Sequence, residues 1–62
     1  MPYTITCARI RESPSGAAVL IEDEDNNEVW FPLSQIESMH FNSEGKGYMI
    51  VTDWIAEKKG YL

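Results

Sequence analysis

His40 is the only histidine in the chain and Cys7 the only cysteine, so the pairings that activate a nucleophile or shuttle a proton are missing at the level of residue types. No serine stands at a recognisable nucleophile spacing. His40 lies in Glu37-Ser38-Met39-His40-Phe41, where an unpartnered imidazole more often satisfies a strand face or points to solvent than performs acid–base work. Glu12, Glu37 and Glu57 are scattered, and scatter does not make a carboxylate pair. A single Cys excludes an intrachain disulfide and a thiolate-built metal site. Asn42-Ser43-Glu44-Gly45-Lys46-Gly47 has two glycines and a lysine but lacks the Walker spacing and precedes no helix that could aim amides at a phosphate. These residues predict a protein that is not an enzyme, with no cofactor and no metal.

The strongest local signal is charge. Of the ten acids in the chain, five are Glu22, Asp23, Glu24, Asp25 and Glu28, in a stretch without a basic residue, whereas the rest carries five acids against five bases. The net charge of -5 is therefore local. Asp23, Asp25 and Asn27 imitate the first three ligands of a calcium loop. Position six is Glu28 where the sharp turn needs Gly, and position twelve is Ser34 where a bidentate Glu is needed, so calcium is rejected. Two readings of the segment remain: a solvated hairpin tip whose charges keep it soluble, or an anionic patch that contacts a protein with a basic surface or mimics nucleic-acid phosphates. The candidate partner-binding residues are Asp23, Glu24, Asp25 and Glu28, with Trp30 beside them.

Aromatic residues supply the competing function. Trp30, Phe31, Phe41, Tyr48 and Trp54 could line a stacking platform for single-stranded nucleic acid, with Arg9, Arg11 and Lys46 following the backbone. Five excess acids oppose a polyanion, and a small domain needs nearly all its aromatics for burial, so the core reading is preferred. Trp30 alternates with Val29 and Phe31. It is either exposed, or its strand is buried on both faces.

The elements that position these residues are short. At 62 residues there is room for one core, hence one domain spanning residues 1–62. Tyr3 to Arg11 reads as a strand with Tyr3, Ile5 and Cys7 on one face, its phase shifted by a bulge between Cys7 and Ile10. Ser13-Pro14-Ser15-Gly16 turns into Ala17 to Glu22, apolar on both faces and therefore central. Asp23 to Asn27 is a loop before the strand Glu28 to Phe31, which Pro32 ends, and Leu33 to Ile36 suits a single helical turn. Glu37 to Phe41 and Tyr48 to Thr52 read as the fourth and fifth strands around the Asn42–Gly47 loop. Thr52 caps a helix over Trp54 to Lys59, with Asp53 in its first turn and Gly60 just past its end. Two turns need docking, so Trp54 and Ile55 are expected to plug the sheet, with Tyr61 and Leu62 returning to the same side. The fold class expected is mainly β, a small five-stranded, partly open SH3-like or OB-like barrel with a short C-terminal helix.

Val29-Trp30-Phe31-Pro32-Leu33-Ser34-Gln35-Ile36, together with Trp54-Ile55-Ala56-Glu57-Lys58-Lys59-Gly60, resembles a group of small uncharacterised proteins of bacteriophages and related bacterial elements. Their recurring pattern looks like V-W-[IL]-P-K-S-Q-I, an acidic loop, a glycine, an apolar strand and W-[IL]-A-E-[EK]-K-G-L. The resemblance covers about half the chain, and both blocks specify fold more than activity. Leu33 replaces the usual Lys, and Tyr61 is inserted before Leu62. The resemblance implies genetic surroundings of phage replication and recombination. The expectation is a non-enzymatic accessory protein that inhibits a host factor or joins a replication or recombination complex, with a single-stranded nucleic-acid-binding module as the alternative. No basic n-region with an apolar stretch opens the chain, and its longest apolar run, Ala17 to Ile21, is far short of the ~20 residues of a membrane span. The host bacterial cytoplasm is the expected location, no membrane is an expected partner, and a homo-oligomer is left open.

Overall fold

The computed structural model describes residues Met1–Leu62. Its strands are β1 (Tyr3–Glu12), β2 (Ala18–Asp23), β3 (Glu28–Pro32), β4 (Ile36–Phe41) and β5 (Lys46–Val51), followed by a helix, α1 (Asp53–Lys58). All neighbours are antiparallel in one five-stranded sheet ordered β3-β2-β1-β5-β4. β3 and β4 are joined by a single 3₁₀ turn at Leu33–Gln35 and are not hydrogen-bonded to each other, so the curved sheet stays open. The protein is a mainly β, partly open five-stranded domain with a short C-terminal helix.

Three hairpins use one device. In the β2–β3 turn the Asn26 amide donates to the Asp23 carbonyl, Asn26 has φ 66°, and Asp23 Oδ1 accepts from the amides of Asp25 and Asn27. In the β4–β5 turn the Gly45 amide donates to the Asn42 carbonyl, Gly45 has φ 82°, and Asn42 Oδ1 accepts from the amides of Glu44 and Lys46. Ser13 and Gly16 repeat the pattern between β1 and β2, with Ser13 Oγ accepting from the Ala18 amide. A short oxygen-bearing side chain opens each turn and a residue that tolerates a left-handed backbone closes it, and this fixes the register of the strands that follow.

The core lies on the concave face. Ile5 and Cys7 of β1, Val19 and Ile21 of β2, Phe31 of β3, Met49 and Val51 of β5, and Ile55 and Ala56 of α1 form one buried cluster. Val19, Leu20 and Ile21 are all buried, as expected for a central strand, with Leu20 on the opposite face in register with Trp30 and Arg11. The β1 bulge falls between Arg9 and Arg11, so Ile10 is the extra residue and is exposed.

Thr52 caps α1, its hydroxyl accepting from the Ile55 amide and donating to Gln35 Oε1. The helix ends in a Schellman motif: the Gly60 amide donates to Glu57, the Tyr61 amide to Ala56, and Gly60 has φ 87°.

Four expectations are corrected. Of the two residues expected to plug the sheet, Ile55 does so, together with Ala56, and Trp54 does not: it is 57% exposed, with the Lys58 ammonium 5.1 Å from its ring. In a six-residue helix only one side meets the sheet; at about 100° per residue Ile55 and Ala56 share that side, and Trp54, a further ~100° round from Ile55 and ~200° from Ala56, falls outside it. Tyr61 returns to the core, packed on Phe31 with ring centroids 5.9 Å apart, but Leu62 does not. The preference for aromatics in the core holds for Phe31 and in part for Phe41, and fails for Trp30, Tyr48 and Trp54. Gly47 belongs to β5 and not to the loop: it sits opposite Phe41, where a Cβ would lie 1.9 Å from the His40 carbonyl oxygen, so this glycine permits the close approach of β4.

Candidate partner-binding site at the acidic end of the sheet

Alternation along β2 and β3 puts Glu22 and Glu28 directly opposite each other on the convex face. Two like charges in register cost stability. Past them the chain turns through Asp23–Asn27 and leaves Glu24 and Asp25 exposed. No ion pair reaches any of the five acids: the salt bridges present join Arg9 to Glu12 at 2.8 Å and the Met1 amino group to Asp53. Lys46 is the nearest cation in register, opposite Ala8, which in turn faces Glu22.

Asp23 differs from its neighbours. Its Oδ1 is taken by the turn, and its Oδ2 accepts from the Tyr61 hydroxyl at 2.7 Å. These bonds, that from the Asn27 amide foremost and that from Tyr61 next, hold its carboxyl below the usual carboxylate range. The phenol of Tyr61 is pushed up, first by burial and then by its bond to Asp23. Asp23 thus ties the hairpin tip to the C-terminal segment, a role its sequence position does not announce. Glu24, Asp25, Glu22 and Glu28 are the carboxylates left to meet a partner.

Beside the tip lies a cleft of about 240 Å³, walled by Tyr3–Thr6 of β1 on one side and Asp23–Asp25 on the other, with Tyr61 as its floor. Sequence reasoning missed Tyr61 and the β1 wall, because nothing local shows that residues 3 to 6 and 23 to 25 lie side by side.

Trp30 is 38% exposed on the same convex face as Glu28, two residues along β3, with the Arg11 guanidinium 5.8 Å from its ring. Tyr48 is 40% exposed on that face too, stacked on His40 with centroids 4.9 Å apart. Trp30 and Tyr48 are three strands apart and, by the register through Leu20, Glu22, Ala8 and Thr6, four residues apart along them, which separates them by about 20 Å. With two strands between them they do not form one continuous platform.

Cys7 is buried, its thiol donates to the Ile5 carbonyl at 3.6 Å, and burial, helped by the charge of Asp23, pushes it up to about 11. A thiol so far from ionising is a packing group. His, Cys, Asp and Glu side chains come together nowhere in a group of three or more able to hold a metal ion. No helix is long and apolar enough to cross a membrane. No protein-family model, no curated protein and no solved structure matches the chain.

Proposed function

We propose that the protein is a non-enzymatic accessory module, of the kind suggested by its resemblance to small phage proteins, that binds a protein with a basic surface through the acidic end of its sheet and so inhibits a host factor or joins a replication or recombination complex. The observation that carries this reading is the like-charged pair of Glu22 and Glu28, in register and in no salt bridge, with Lys46 a full strand farther from Glu22 beyond Ala8, continued by the exposed Glu24 and Asp25. A merely solvated tip gains nothing from two carboxylates placed opposite one another. A surface that steers a basic partner gains association rate and discrimination from them. The single-stranded nucleic-acid alternative draws on the exposure of Trp30 and Tyr48, but their separation and the net charge of -5 both weigh against it.

The test compares wild-type protein with the double variant Glu24→Lys, Asp25→Lys, which leaves the Asp23 turn intact. A basic protein retained from bacterial lysate by the wild type, released by salt and not retained by the variant, is the expected result. Micromolar binding of a labelled single-stranded oligonucleotide at low salt, strengthened in the variant, would overturn the proposal.

A further inference from the structure

β1 is ten residues long, but its two neighbours do not cover the same part of it. β5 pairs with Tyr3 to Ala8, whereas β2 pairs only from Cys7 to Glu12, because β2 turns away at Asp23. On the β2 side, Tyr3 to Thr6 therefore has no strand beside it. The Arg9 amide donates to Gly45 at 2.7 Å, which fixes the alternation: odd-numbered residues of this stretch direct their main chain at β5, and Thr4 and Thr6 direct theirs the other way. No main-chain group of a turn or of the C-terminal segment bonds to either of them. The cleft walled by Tyr3–Thr6 and Asp23–Asp25 occupies the lane that a longer β2 would fill.

We propose that this lane is a strand-addition site, in which the free edge of Thr4 and Thr6 pairs with an extended, basic segment of the partner protein while Glu24 and Asp25 hold that segment's cationic side chains. This rests on the reading of the acidic end as a protein-binding surface and adds how the partner is held. Main-chain bonds to an exposed sheet edge supply affinity without regard to sequence, and the pockets and charges beside the edge supply the selection. The charge also decides between occupants. A second copy of this chain entering the lane would bring two acidic tips together, and like charge at an open edge is a common guard against self-pairing. A basic strand meets attraction where a second copy meets repulsion. With four residues of edge, the contact is short and its affinity depends on the charges, so it weakens with salt.

The probe is the peptide Lys-Val-Lys-Val-Lys-Val-Lys, titrated at low salt into the isotope-labelled full chain while amide exchange is followed residue by residue. Thr4 and Thr6 should gain at least about tenfold protection on binding, because amides that face open water become ladder donors. N-methylation of alternate peptide amides, in both possible phases, keeps the charge and should abolish that protection in one phase. Shifts confined to Glu22–Glu28, without protection at Thr4 and Thr6, would overturn strand addition and leave the acidic binding surface standing. No response to the peptide anywhere would overturn both. Equal protection by Glu-Val-Glu-Val-Glu-Val-Glu would overturn the basic character of the occupant, and concentration-dependent protection without peptide would identify the occupant as a second copy.

Discussion

Asp23 is the residue on which turn, tail and charge converge, and its protonation is visible in stability. Its carboxyl is held below its ordinary value of 3.8 by the amides of the turn and the Tyr61 hydroxyl. A carboxyl with a lowered folded-state pKa contributes stability that is present above 3.8 and is lost as pH falls through the folded value. Asp23→Asn removes this dependence without removing the turn, since Asn42 holds the equivalent β4–β5 turn with the same two amide bonds through its own Oδ1. The thermal midpoint of the wild type should therefore drop on acidification below about pH 4 by more than that of Asp23→Asn. Parallel acid limbs in the two proteins would show that the carboxylate charge adds nothing.

At the scale of the element, α1 is a six-residue helix that cannot stand alone, and its contribution comes from the stripe it buries. That stripe is Ile55 and Ala56 and not Trp54. Ile55→Ala should cost about 2 to 5 kcal/mol, as truncation of a buried branched aliphatic residue does, whereas Trp54→Ala, at a site more than half exposed, should cost less, about 1 kcal/mol. Urea unfolding of the two variants separates these values. The reverse order would return Trp54 to the role of plug.

For the whole molecule, charge and stability pull against each other. A domain of this size has a total stability of only roughly 3 to 9 kcal/mol, so a like-charged pair in register is a measurable fraction of it. Glu28→Lys converts the Glu22 pair from repulsive to attractive and should raise stability by roughly 0.4 to 2 kcal/mol, the sum of a repulsion removed and an attraction gained. Added salt should raise the melting midpoint of the wild type more than that of this variant, because only the wild type has the repulsion to screen. If the acidic end binds a basic partner, the stabilised variant binds it less well, a trade expected where function retains an unfavourable local arrangement. An unchanged or lowered midpoint in Glu28→Lys would show that the pair is relaxed by solvent.

Much of the fold is legible in the chain because its signals are local. Ser13 to Gly16, Asp23 to Asn27 and Asn42 to Gly45 announce three turns by residue type, and Pro32, Thr52 and Gly60 mark ends by what they do to the backbone. Val19 to Ile21 announces a central strand because alternation is lost where both faces are covered. The burial of Ile55 was legible but the exposure of Trp54 beside it was not, since both are apolar and only the direction from which α1 meets the sheet decides which of them it covers. Nor was the site. The acidic stretch is plain in sequence, but Thr4, Thr6 and Tyr61 join it only because β2 stops short of the end of β1 and the chain returns beneath the tip, thirty-eight residues after Asp23. Local physics set the turns, strands and caps, and the tertiary structure alone decided which edge was left open, because an edge exists only by comparison with the strand that fails to cover it.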